Sequence, residues 1–270
     1  MIRTELVKML RRPRTWVTIA LIDALPVLVA VLLNLTDLGP RPGTGPAFLS
    51  AVLSDGTLYP LAAIAIVLPL FLPVAVAIMS GDAVAGEAQA GTLRYLLVRP
   101  VGRTRLLVAK LVAVVAFVLL TVVIVAVTGY VTGALLLGDQ PAAETVSVSG
   151  TTLAPSNVTG RTMLAIAYVT LSMLGVAAVA LFLSTVTDAA LGASLGALSF
   201  LIASSLLLTL DAARSLHSYL PTRYWLSFVD LFRDPILWRQ VERGVILQLV
   251  YVTVFLGAAW ANFMTKDIKS

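Results

Sequence analysis

Six apolar runs punctuate the chain, each about as long as a bilayer crossing, and the segments between them hold most of the charge. Their expected bounds are about 16–36, 58–79, 107–131, 163–186, 190–210 and 245–264. At a rise of about 1.5 Å per residue, about 20 residues cover the roughly 30 Å hydrocarbon core. The second run contains Pro60, Pro69 and Pro73, so it should kink where neighbouring helices shelter the freed carbonyls. The fourth and fifth are interrupted only around Thr185–Asp188, which predicts a tight hairpin. Gly192 and Gly196 put a small-xxx-small pair on the fifth run, suited either to a dimer seam or to close packing within one subunit. The first run follows Arg3, Lys8, Arg11, Arg12 and Arg14, as a secretory signal would. It is nevertheless too long for a signal core and lacks a small-x-small cleavage site, so it is expected to be retained.

Three segments outside these runs carry their own patterns. Ile2, Leu6, Met9 and Leu10 recur at helical spacing, with the basic residues mostly elsewhere; this predicts an amphipathic helix lying on the membrane surface. Residues 138–161, rich in Ser, Thr, Gly and Pro, predict an exposed loop, with period-two alternation in "TVSVS" consistent with a short strand. The stretch 219–243, "YLPTRYWLSFVDLFRDPILWRQVER", predicts two interfacial helices on the extracytoplasmic side. Asp234 and Pro235 would start the second and Gly244 would stop it. Tyr224, Trp225, Phe228 and Trp238 would then sit at headgroup depth.

Composition agrees with the pattern. Of 270 residues, 59% are hydrophobic and only 12% charged, against about a quarter charged in soluble domains. The expected fold is an all-α integral membrane protein forming a single domain over 1–270. Cysteine is absent and His217 is the one histidine, which excludes disulfides and thiolate metal sites and argues against a zinc centre. The pI near 9.7 reflects bases flanking apolar runs, not a separate basic domain, so nucleic acid is not an expected partner. Arginine outnumbers lysine, and Ala, Val and Leu dominate, which points to a GC-rich bacterial genome. With both termini cytoplasmic, twelve bases lie inside and seven outside, in accord with the positive-inside rule. This predicts a multi-pass protein of the inner (cytoplasmic) membrane. Trp16 and Trp260 would both mark the cytoplasmic interface, while loop 211–243, with five arginines on the outer side, opposes the trend.

The chain carries little catalytic chemistry. No G-x-x-x-x-G-K-[ST] occurs, so no nucleotide is bound through a P-loop. "GASLG" at 192–196 has its serine one place late for a nucleophile elbow. No catalytic, metal or cofactor-binding residue is assigned. Asp23 is the only acid well inside a run. A charge there costs about 2.5–3.5 kcal/mol, so it either lines a translocation path or is neutralised by protonation or a Ser/Thr bond.

The densest basic insert is "GEAQAGTLRYLLVRPVGRTRLLVAK", residues 86–110, with Arg94, Arg99, Arg103, Arg105 and Lys110. Asp82 can N-cap a short helix carrying Glu87 and Gln89 that Gly91 ends in a left-handed turn. Thr92 can cap a second, "LRYLLVR", stopped by Pro100, and Gly102 allows the turn into the third run. The result is an elbow of two short helices at a right angle. A basic loop of this kind anchors to anionic lipid; a rigid capped elbow also suits a groove on a soluble protein.

An acid, then Gly-Thr-Leu, a leucine pair, Pro, Arg and Lys, here Glu87, Gly91-Thr92-Leu93 followed by Arg94, Leu96-Leu97, Pro100, Arg103 and Lys110, with Asp82 upstream, resembles the signature of type-2 ABC transporter permeases. The likeness extends over the chain: basic amphipathic start, six spans, signature between the second and third, interfacial helices before the sixth. It implies a permease subunit, mostly of exporters, that pairs with itself or a sister permease and with two copies of a separate ATP-binding-cassette ATPase. ATP and Mg would sit on that ATPase, and this chain would be no enzyme. The signature segment would be the cytoplasmic coupling helix seated in the ATPase. A membrane scaffold or sensor recruiting a soluble partner through residues 82–105 is the alternative.

Overall fold

The computed structural model describes residues 1–36, 56–92, 102–137, 145–146, 152–153 and 155–265. Numbered in chain order, its helices are α1 (Ile2–Arg11), α2 (Pro13–Thr36), α3 (Tyr59–Val67), α4 (Phe71–Gln89), α5 (Arg103–Leu136), α6 (Pro155–Val186), α7 (Ala190–Leu207) and α8 (Trp238–Thr265). Six of them, α2 and α4–α8, are long and apolar enough to cross a membrane. Among the described residues the one ladder is a pair of two-residue antiparallel strands, Thr145–Val146 with Thr152–Leu153, within the stretch where alternation suggested a strand.

The second crossing is broken, as its prolines require. Pro60 lies in the first turn of α3, the chain leaves helical hydrogen bonding at Leu68–Leu70 around Pro69, and Pro73 falls in the first turn of α4. Each proline thus sits where its missing N–H breaks no ladder bond. The break survives at membrane depth because α3 is buried along almost its whole length. Gly129 and Gly133 of α5 make room for it: a Cβ at Gly129 would lie 3.0 Å from Ala63 and Pro60, and one at Gly133 would strike Gly56 and Tyr59. Tyr59 adds a hydrogen bond, its hydroxyl donating to the Pro26 carbonyl of α2 at 2.5 Å.

Around the central helix α6 pack α4, α5, α7 and α8. The 187–189 hairpin joins α6 to α7 as expected, and Gly196 faces Leu183 across it, so that glycine serves packing within the chain. Several boundaries move outward. The exposed loop at 138–161 ends earlier, because α6 starts at Pro155. α5 has 34 residues, about 51 Å of helix, well beyond the roughly 30 Å core.

The segment before α8 departs from expectation. Trp225–Phe232 is a 3-10 helix, preceded by 3-10 turns at Asp211–Ala213 and His217–Tyr219. No second interfacial helix starts at Pro235; the Asp234–Pro235 peptide is cis, and residues 238–243 belong to α8. Gly244 is not a stop but lies inside α8. Its missing side chain lets Tyr168 and Tyr224 close on the helix. Tyr224, Trp225 and Phe228 are buried inside the protein, while Trp238 stays exposed. The Tyr168 hydroxyl bonds the Tyr224 carbonyl at 2.6 Å, and Gln248 donates to the Pro221 carbonyl at 2.8 Å. These bonds hold the 3-10 segment against α6 and α8.

Candidate functional site at the charged end of the bundle

α4 begins in apolar surroundings at Phe71 and runs without interruption to Gln89. Asp82 is consequently no N-cap, and the first arm of the expected elbow is the last turns of this long helix. Continuing the helix costs little because its acids are met by bases from elsewhere. Asp82 Oδ2 lies 2.7 Å from an Arg14 nitrogen and 3.5 Å from one of Arg12. Glu87 Oε1 takes Lys8 Nζ at 2.7 Å and Oε2 takes Lys110 Nζ at 2.6 Å.

These two pairs differ in kind. The side chains of Lys110 and Glu87 are only 3% and 10% exposed, whereas Lys8 is 39% exposed. Lys110, the last residue of the signature, is a buried counter-ion. Its ammonium is taken from water, so Glu87 is required as its partner. Lys8 lies on α1, Glu87 on α4 and Lys110 on α5, so one carboxylate ties three helices.

Immediately after it the helix ends as the sequence indicated. Gly91 has φ of +66°, Gly91 N–H bonds the Ala88 carbonyl at 3.0 Å and Thr92 N–H the Glu87 carbonyl at 3.0 Å. That pair of bonds is a Schellman motif, which needs a left-handed residue where only glycine is unstrained. The Thr92 hydroxyl adds a bond to the same carbonyl at 3.2 Å. Leu93, Arg94 and Pro100, with the expected second helix of the elbow, lie outside the described residues.

The chain is described again from Gly102. Arg103 donates to the carbonyls of Met264 at 2.8 Å and Phe263 at 3.2 Å, closing the end of α8 instead of facing lipid alone. Trp260 Nε1 bonds Thr104 Oγ1 at 3.1 Å, and Trp16 Nε1 bonds the Leu10 carbonyl at 2.7 Å. α1, the start of α2, the end of α4, the start of α5 and the end of α8 thus share one end of the bundle.

Ser184 of α6 was not singled out from the sequence. Its hydroxyl donates to the Gly81 carbonyl at 2.6 Å and accepts from Val84 and Ala85 N–H at 3.1 and 2.9 Å, settling against the α4 ladder. The pairing of Lys8, Arg12 and Arg14 with Glu87 and Asp82 has no local signal, because the acids they meet are far away in sequence. Asp23 lies about 10 Å along α2 from Trp16, at about 1.5 Å per residue. Thr128 of α5 is a neighbour of its carboxyl, while Oδ1 is buried without a hydrogen-bond partner among the described residues. Asp23 is not brought together with the Asp82–Lys110 group.

A cleft of about 560 Å³ opens beside the ion pairs, between α1, the start of α2, α4 and α5.

Six helices long and apolar enough to cross a membrane, α6 packed against four of the other five, define a multi-pass helical membrane protein. Residues 25–269 match the model of the family described as "Protein of unknown function (DUF2705)", and the chain belongs to that family. A search of curated proteins finds no match to it.

Proposed function

We propose that the chain is the membrane-spanning permease subunit of an ATP-binding-cassette exporter, coupling ATP hydrolysis on a separate ATPase to substrate movement. The observation that carries this reading is the position of Glu87. It stands one turn before the Gly91 turn that leads into the signature segment, and it is bonded to both Lys8 and Lys110. A push on residues 91–102 from a docked ATPase would reach α1, α4 and α5 together through that carboxylate. The closed C-terminus of α4 suits this role, since a turn fixed by its own hydrogen bonds transmits displacement without first being ordered.

In this reading the charged end faces the cytoplasm of a bacterial cell, with both termini there, and the protein sits in the inner membrane. The working unit contains two permease halves, identical or sister, and two ATPase chains holding ATP and Mg. Asp23 is a candidate for the translocation path.

The test is co-expression with the ATPase encoded beside this chain, followed by purification and assay in proteoliposomes. Two ATPase chains per pair of permeases, with ATP turnover confined to the complex, is the expected result. ATP turnover by the rigorously purified chain alone would overturn the proposal. A stable complex that moves no substrate and leaves the ATPase rate unchanged would favour a scaffold.

A further inference from the structure

The cleft beside the ion pairs has an amphiphilic lining. Lys8 and Met9 of α1 line one wall, with Arg12 the extended residue that follows the helix; Met79 and Ala83 of α4, and Lys110 and Val114 of α5, each lie one turn apart on the other walls. Four bases and three acids line it, leaving one positive charge in excess. Two of the acids are engaged, Glu87 by Lys8 and Lys110 and Asp82 by Arg14 at 2.7 Å, and the third is Glu5 of α1. Among the described residues Arg12 makes only the long contact to Asp82, 3.5 Å, at the limit of a hydrogen bond. Its guanidinium carries five N–H donors in a fork that matches a phosphate. Lys8 has three donors and directs one at Glu87.

Beneath this rim the lining turns apolar. Met9 and Val114 are buried, and Met79 and Val114 lie about one turn deeper in their helices than Asp82 and Lys110. Small residues, Ala83, Gly86 and Ala113, keep the walls apart. A volume of about 560 Å³ falls in the range of about 300–1,000 Å³ typical of small-molecule sites. That is room for a headgroup and the first carbons of its chains, not for a whole lipid. Basic pockets between membrane helices take anionic headgroups in this way.

We infer that this cleft binds the phosphate headgroup of an anionic phospholipid, held by Arg12 and Lys8 with its glycerol and upper chains over Met79, Ala113 and Val114. The inference needs the charged end to lie at a membrane interface. It stands whether or not residues 82–110 dock an ATPase.

The full chain is reconstituted in bilayers of equal parts phosphatidylcholine and phosphatidylglycerol, then extracted, and the retained lipid is counted by native mass spectrometry. Wild type should retain phosphatidylglycerol in preference to phosphatidylcholine. Arg12→Gln should weaken that preference about fivefold, the effect of about one base near an anionic surface. Ala113→Leu, which fills the floor without changing charge, should weaken retention of the same lipid. Arg214→Gln removes an equal charge at a residue paired with Asp211 outside the cleft, and should change nothing. Equal retention of both lipids by wild type, or wild-type selectivity in both cleft variants, overturns the inference. Displacement of the lipid by inorganic phosphate at comparable concentration would assign the site to a free anion and also overturn it.

Discussion

Replacing Glu87 by Gln removes one charge and almost no volume, and it leaves the Lys110 ammonium facing a neutral amide. Removing one partner of a buried ion pair costs about 3–5 kcal/mol, chiefly because the other charge stays buried and uncompensated. The side chains are 10% and 3% exposed, but the adjoining cleft gives water a route to them, so the low end of that range applies. Glu87→Gln should destabilise by about 3 kcal/mol, about a hundredfold in the unfolding constant. Lys110→Met should cost a similar amount. The double variant, with neither charge present, should lose much less than the sum, giving a coupling of at least about 2 kcal/mol. Lys8→Gln should cost under about 1 kcal/mol, since Lys8 is 39% exposed and such pairs contribute little. The assay is reversible unfolding in mixed micelles followed by tryptophan fluorescence, run on all four variants. Additive effects in the double variant, or a larger loss for Lys8→Gln than for Lys110→Met, would refute the assignment of Lys110 as the principal partner.

Gly91→Val forces a β-branched residue to a φ of +66°, a cost of about 1–2 kcal/mol; membrane insertion should persist while capture of the ATPase in pull-downs falls, and Arg105→Gln should leave capture intact. Gly244→Ala puts a methyl group against Tyr168 and Tyr224 and should destabilise by about 1–3 kcal/mol, measured in the same unfolding assay; a neutral result would mean the 3-10 segment yields freely. Asp23→Asn removes an intramembrane charge with almost no change of volume and should fold and assemble like wild type. Export by the Asn variant at the wild-type rate across a range of pH would remove Asp23 from the translocation path.

The crossings were legible because an apolar run of bilayer length has few alternatives to a helix. Their ends were not, and the reason is the same at both ends of the signature. Asp82 and Glu87 look like residues that terminate a span, and Lys110 falls at the start of the third run with no local sign of its partner. Their charges are compensated by one another and by Arg14 and Lys8 on distant elements, so the helices run on through them. Local pattern carries no record of such pairing. The Gly91 turn was readable because the chemistry of a helix C-terminus is local. Likewise Tyr224, Trp225 and Phe228 have the composition of an interfacial belt, yet Gly244 and the bonds from Tyr168 and Gln248 draw the segment into the protein. Ser184 gave no signal, because a serine in an apolar helix is equally compatible with bonding its own backbone.

The interruption at Leu68–Leu70 divides the second crossing between two different sets of neighbours. α3 is held by α2 and α5, whereas α4 is held chiefly by α6 and α7. An unbroken helix would carry torque from one set to the other. At Pro69 the two parts join through a turn, so each follows its own neighbours. Glu87 reaches across that dividing line to Lys8 and Lys110, and α5 packs directly on α6 across it as well. The ion pairs therefore reinforce, at the charged end, a seam that helix packing also holds.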